Sequence, residues 1–198
     1  SSSCFSLKLH ISFNNFKLRH ICVFSIIILM KLNKNLILVG NMAAGKTIIG
    51  RLLAKKLNLK FYDTDYIIEK KTKMRIFQIF EKKGEIAFRN LEKKIILSLL
   101  KKNNSVISFG GGAFLNKIVR KNAQRNALTI WLKQDPKILI DRIKKNNKRP
   151  IASNLSHNEL RNLITSRSKL YAKAKYKINC EDMEKMAIVN KIIKELKL

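Results

Sequence analysis

The chain has 198 residues, 46% of them hydrophobic, so it is long enough for one domain with a real core, and its composition excludes a disordered polymer. With 42 Lys+Arg against 13 Asp+Glu the formal charge is +29, which points either to a polyanionic partner or to compositional drift toward Lys, Asn and Ile. The lysines are spread along the whole chain, and no basic stripe is interleaved with aromatics, so drift is the favoured reading and no specific nucleic-acid partner is expected. The 3 cysteines (Cys4, Cys22, Cys180) are far apart and odd in number. They exclude a disulfide framework or zinc site and suit a reducing, cytoplasmic compartment. His10, His20 and His157 form no ligand cluster.

Residues 1–29 look foreign to the rest of the chain: rich in Ser, Phe and Ile, with Lys8, Lys17 and Arg19 but no acid. The apolar run Ile21–Met30 is too short to span a bilayer, and no membrane association is expected. Met30 opens MKLNKNLILVG, a natural start ahead of the first strand. The segment 1–29 is therefore read as an extension, disordered or no part of the native protein, whether upstream translation or a dispensable piece. A signal-peptide or transit-peptide segment is the competing reading.

Leu36–Val39 reads as a buried strand. Gly40–Thr47, GNMAAGKT, fits G-x-x-x-x-G-K-[ST], and a helix over Ile48–Leu57 comes next. Strand, loop and helix in that order are the setting of a phosphate-binding loop. Its main-chain N–H groups turn inward onto phosphate oxygens, Lys46 brings charge to the β/γ-phosphates, and Thr47 offers a hydroxyl to Mg²⁺. The helix start adds its dipole.

A second strand, Lys60–Tyr62, ends at Asp63-Thr64-Asp65. Ligands of open α/β sheets sit beyond the carboxyl ends of strands, so these acids are placed to act, although either could instead cap the next helix. Helices are predicted over Ile67–Lys71 and Ile76–Lys83, with Gly84 breaking the path before a longer helix over Glu85–Lys101. On it Arg89 and Glu92 share a face and can pair, which alone is ordinary surface decoration. A third strand, Ser105–Phe109, runs into Gly110-Gly111-Gly112; three glycines allow unusual backbone angles and close approach to main-chain N–H groups. This strand lacks the terminal Asp of a Walker B pattern, leaving Asp63 as the acid to assist a metal.

Asn116–Asn126 is a weak helix, Ala127–Leu132 a fourth strand, and Asp135-Pro136 starts another helix that carries Ile138, Leu139 and Ile143. Arg142–Pro150, RIKKNNKRP, reads as a mobile loop, either a solvated basic stretch or a lid bringing arginine over phosphates. A helix over Glu159 to about Ala174, a short strand Tyr176–Cys180 and a helix Glu184–Leu196 close the chain. No repeat and no linker divides it.

From Met30 onward the sequence resembles shikimate kinase, on GNMAAGKT, FYDTD (61–65), IFEKKGEIAFRNLE (79–92), ISFGGGA (107–113), RIKKNNKRP and RSKLY (167–171), in matching order and spacing. The resemblance implies an α/β, three-layer P-loop kinase fold over 30–198: a five-stranded parallel sheet flanked by helices, with a lid. It implies a monomer that phosphorylates the 3-hydroxyl of shikimate with ATP and Mg²⁺. Ala43, Ala44, Gly45, Lys46, Thr47 and Ile48 would cradle the nucleotide, with Arg142 near the adenine and Arg149 in the lid at the phosphates. Thr47 and Asp63 would serve the metal. Asp65 would bind the shikimate hydroxyls and accept the proton, acting in catalysis with Lys46 and Arg149. Arg89 and Arg167 would hold the carboxylate, Gly110, Gly111 and Gly112 would add main-chain contacts, and Glu92 would orient Arg89.

The chain departs from the family at Asn41 and Ala43, where an aromatic and a glycine are usual. Both positions are expected to need only backbone, with Ala43 strained if its φ is positive. The proline usual after Arg167, and the acids usual after Tyr171, are also missing. The competing class is a basic nucleotide- or nucleic-acid-binding protein that keeps the fold without kinase activity.

Overall fold

The computed structural model describes residues 34–145 and 155–198. The expectations for Arg149, for the rest of the basic loop and for the extension 1–29 lie outside the described residues.

Five strands form one parallel sheet: β1 (Asn35–Val39), β2 (Lys60–Asp63), β3 (Ser105–Ser108), β4 (Ala127–Lys133) and β5 (Tyr176–Asn179), in the spatial order β2-β3-β1-β4-β5. Between them run α1 (Lys46–Leu57), α2 (Thr64–Thr72), α3 (Ile76–Leu100), α4 (Lys117–Asn126), α5 (Pro136–Lys144), α6 (His157–Tyr171) and α7 (Lys185–Leu196). The layering follows from β1. Every residue of it is buried, as a parallel strand covered on both faces requires. Side chains alternate along a strand. Leu36 and Leu38 join Leu53, Leu57, Val189 and Ile192 on the side of α1 and α7. Ile37 and Val39 join Ile96, Leu99, Val119 and Ala123 on the side of α3 and α4. A third cluster packs α5 on α6 through Leu139, Ile140, Ile143, Leu160 and Ile164, and receives Ala44 of the phosphate loop.

The segment 142–150 does not start as a loop. Arg142, Ile143 and Lys144 still belong to α5, because Ile143 is buried in that third cluster and draws the helix on for another turn. α6 begins earlier than its apolar spacing implies. Ser156 caps it: its hydroxyl accepts from Glu159 N at 3.2 Å, and Glu159 accepts from Ser156 N at 2.7 Å. It ends at Tyr171, whose ring is fully buried between Phe114 and Trp131.

The predicted break at Gly84 is real. Its φ of 76° and ψ of 167° lie in a region open essentially to glycine alone, and an added Cβ would meet nothing within 4 Å. The break therefore serves backbone geometry and not packing. On an unbroken helix residues 80 and 88 would stand about 12 Å apart along the axis. Here the Phe80 and Phe88 rings are 4.6 Å apart, centroid to centroid.

Gly84→Ala should cost about 1–3 kcal/mol, through backbone strain alone. Urea unfolding of the variant checks this, and an unchanged midpoint would mean that the break is not fixed by residue 84.

Candidate active site

The carboxyl ends of β1, β2 and β3 deliver three loops to one edge of the sheet. The first is the phosphate loop. Gly40 and Gly45 take φ of 143° and 84°, and Ala43 takes 61°. The expected strain at Ala43 is thus present: an L-residue in the left-handed region costs roughly 1–2 kcal/mol. The Lys46 ammonium, buried, donates to the carbonyls of Gly40 at 2.8 Å and Asn41 at 2.7 Å, so the cation lies folded over its own loop. Ser108 at the end of β3 pins the start of α1, its Oγ donating to Lys46 O at 3.0 Å.

Of the D-T-D acids, Asp63 takes the capping role and also reaches the phosphate loop. Asp63 Oδ1 caps α2 by accepting from the N–H groups of Asp65 and Tyr66, while Oδ2 accepts from Thr47 Oγ1 at 2.6 Å. Thr64, which sequence reasoning passes over, is fully buried and its hydroxyl accepts from Gly110 N at 2.8 Å. That bond ties the second loop to the glycine triplet.

A cavity of about 530 Å³ opens among these loops, lined by Ala43, Gly45, Lys46, Thr47, Ile48, Asp63, Asp65, Phe109 and Arg142, with Ile143 and Lys145. Arg142 also donates to Ala43 O at 3.3 Å. Ala44 is not among the lining residues; its side chain is buried with α5 and α6.

A second cluster adjoins the first through Asp65. None of the three glycines takes a positive φ, the positive-φ glycines among the described residues being Gly40, Gly45 and Gly84; at Gly110 and Gly112 it is close approach that requires glycine. A methyl at Gly110 would collide with Asp65 and lie 2.8 Å from Glu92 Oε1, and one at Gly112 would lie 2.5 Å from Arg89 Nη1. Gly111 is held from behind, its carbonyl oxygen accepting from the Tyr171 hydroxyl. Burial pushes that phenol up to about 12, so it stays a donor at any physiological pH.

Arg89 donates to Glu92 Oε2 at 2.8 Å and to Glu85 Oε1 at 3.2 Å, and its guanidinium carbon stands 5.1 Å from the centroid of the Phe88 ring. Glu85 has no counterpart in the sequence reading, although its i,i+4 spacing to Arg89 is visible there. The Arg89–Glu92 pair is not surface decoration: the Glu92 side chain is 4% exposed and that of Arg89 29%. The two partners respond differently. Burial works against the Arg89 charge, but Glu92 and Glu85 outweigh it and favour the cation. Burial dominates at the deeper Glu92 and raises its pKa, with Asp65 adding repulsion against the help of Arg89 and Arg167. Arg167, half-buried on α6, thus has its charge within reach of Glu92 and Tyr171.

Asn41 corrects the sequence reading. The expectation is a position that needs only backbone, yet its side chain is 5% exposed and donates to Ser168 Oγ at 3.2 Å.

The site has two compartments: a phosphate loop with a lysine and a hydroxyl–carboxylate pair, and a guanidinium anchored by a buried carboxylate. Together they suit a nucleotide and a second, anionic molecule with hydroxyls. A model of the family described as shikimate kinase matches residues 42–197. Shikimate kinase of Bartonella henselae is 37% identical over 165 residues, 83% of this chain and 79% of the relative. A solved shikimate kinase from Acinetobacter baumannii, in complex with shikimate, is 31% identical with a TM-score of 0.82, covering 87% of this chain and 97% of its own. That of Aquifex aeolicus is 34% identical with a TM-score of 0.75, covering 82% and 96%.

Two stability measurements test the local geometry. Ala43→Gly should stabilise the protein by about 1 kcal/mol, because it relieves left-handed strain at a small entropic cost; a loss of stability in urea would contradict this. Folded Glu92 holds its proton more tightly than the unfolded chain, whose ordinary value is 4.5. Stability therefore falls as pH rises through the window just above that value. Glu92→Gln should remove this component, giving a flatter profile of unfolding free energy above pH 4.5; parallel profiles would contradict it.

Proposed function

The chain belongs to the shikimate kinase family, and from that premise we propose that it transfers the γ-phosphate of ATP to the 3-hydroxyl of shikimate. The products are shikimate 3-phosphate and ADP, on the route to chorismate and the aromatic amino acids. The observation that carries the reading is the second compartment. Arg89 is braced by buried Glu92 and packed against Gly112, and Glu92 in turn adjoins the Asp65 carboxylate that lines the nucleotide cavity. A substrate with one carboxylate and several hydroxyls calls for that pairing of guanidinium and acid.

The roles follow from this proposal. Lys46 leaves the carbonyls of Gly40 and Asn41 for the phosphates, and the N–H groups of the loop with the start of α1 complete the anion site. Arg142, at the cavity wall, takes the adenine side. Arg89 and Arg167 take the carboxylate of shikimate, and Gly110–Gly112 its ring. Asp65 orients the 3-hydroxyl and receives its proton as the oxygen bonds to the γ-phosphorus. The bond from that phosphorus to the β–γ bridging oxygen breaks, and ADP leaves. Arg149, outside the described residues, is proposed to reach the phosphates from the lid.

Mg²⁺ fits the donors present. Thr47 Oγ1 and Asp63 Oδ2, 2.6 Å apart, form a hard, all-oxygen pair. No group of three or more His, Cys, Asp or Glu that could hold an ion occurs among the described residues. Mg²⁺ commonly takes one or two protein donors and completes its shell with phosphates and water. Bound there, it would neutralise charge on the β- and γ-phosphates. No helix among the described residues is long and apolar enough to cross a membrane. Cys180 is a buried free thiol, which supports the cytoplasmic reading. The non-catalytic nucleic-acid reading rests on charge alone and is not favoured.

A coupled ADP-release assay tests the proposal. Turnover should require shikimate. Arg89→Ala should lose about 100-fold or more in kcat/KM, equivalent to about 2.7 kcal/mol. Lys46→Ala should abolish measurable turnover. Phosphorylation of gluconate or a nucleoside monophosphate, with none of shikimate, would refute it.

A further inference from the structure

Helix α6 reaches both compartments by side chain. At one point Asn41 Nδ2 donates to Ser168 Oγ at 3.2 Å. The same hydroxyl donates to Ile164 O at 2.8 Å, so its proton is committed along the helix and its lone pair receives Asn41. One turn of helix later the Tyr171 hydroxyl donates to the Gly111 carbonyl. Arg167 stands next to the first contact. Asn41 faces two ways: its main-chain oxygen accepts from Lys46 Nζ at 2.7 Å, while its side chain holds α6. Among the lining residues of the nucleotide cavity it does not appear.

We propose that Asn41 is a positioning residue for phosphoryl transfer. Its hydrogen bond to Ser168 fixes the helix of Arg167 against the phosphate loop, and so sets the separation between the grip on the acceptor carboxylate and the lysine on the donor phosphates. The proposal rests on the kinase reading above. Two substrates held by separate loops react at a rate that depends steeply on their mutual placement, and misplacement of about 1 Å can cost on the order of 100-fold. Tyr171 steadies the acceptor loop on the same helix, but it spans no gap to the phosphate loop. The Asn41–Ser168 bond joins α6 to the phosphate loop directly, side chain to side chain.

The test is a double-mutant cycle in the full chain with Asn41→Leu, Ser168→Ala and the pair, read as kcat, the KM of each substrate and the thermal midpoint. Asn41→Leu keeps the bulk, and Ser168 keeps Ile164 as a partner. Each single variant should lower kcat about 5- to 20-fold with the KM for ATP within about two-fold of the parent, and the double should fall no more than about two-fold below the worse single. Ser168→Thr, which retains the hydroxyl, should restore kcat to within about two-fold. Multiplicative losses in the double variant, or a lowered midpoint with kcat unchanged, would overturn the positioning role. A parent protein that turns over without shikimate would overturn the activity itself, and the proposal with it.

Discussion

Parallel pairing of β1 with β3 on one side and β4 on the other is the constraint on which the rest depends. Parallel strands put all their carboxyl ends at one edge, and each must be followed by a crossover that buries its face. The loops after β1, β2 and β3 are therefore neighbours whatever their separation in sequence. Leu38 sits in register with Ser108, and Asp63 with the same residue from the other side. That register brings Thr47 to Asp63 and Thr64 to Gly110. It is the sheet that sets the two compartments side by side.

Given that edge, the chemistry is a matter of fixing charge. Each compartment solves this differently. The Lys46 cation rests on carbonyl dipoles of its own loop, which phosphate oxygens can replace without moving the backbone. The Arg89 cation is clamped by a carboxylate so buried that burial outweighs pairing and raises its proton affinity. Keeping a buried acid of this kind costs stability. What it provides is a guanidinium held in one orientation, flat against Gly112 and over the Phe88 ring. The break at Gly84 belongs to the same arrangement, since it folds the Phe80 segment back beside Phe88.

Much of this is legible in the sequence, because the signals are local. The phosphate loop is contiguous, the strands are short apolar runs, and acids or glycines punctuate their ends. The break at Gly84 and the Arg89–Glu92 pair can also be read from spacing. The failures have physical causes. At Arg142–Lys144 the sequence reads both ways, Ile143 as helix and the polar run from Arg142 as loop, and the packing of Ile143 against α6 decides for helix. The start of α6 is written in the Ser156–Glu159 capping box, a signal that apolar spacing alone misses. The side-chain role of Asn41 cannot be read at all, since its partner lies 127 residues away. The glycine triplet stands out in the sequence, but the unusual backbone angles it would permit are not used: none of the three takes a positive φ, and at Gly110 and Gly112 the neighbours leave no room for a Cβ.

That one sheet edge holds a phosphate donor and a hydroxylated carboxylate side by side is the central claim, and a crystal structure with ADP and shikimate tests it most directly. The carboxylate is expected within about 3.2 Å of the Arg89 and Arg167 guanidinium groups, and a ring hydroxyl within hydrogen-bonding distance of Asp65. A carboxylate bound away from both arginines, or an Asp65 that meets no hydroxyl, would contradict it.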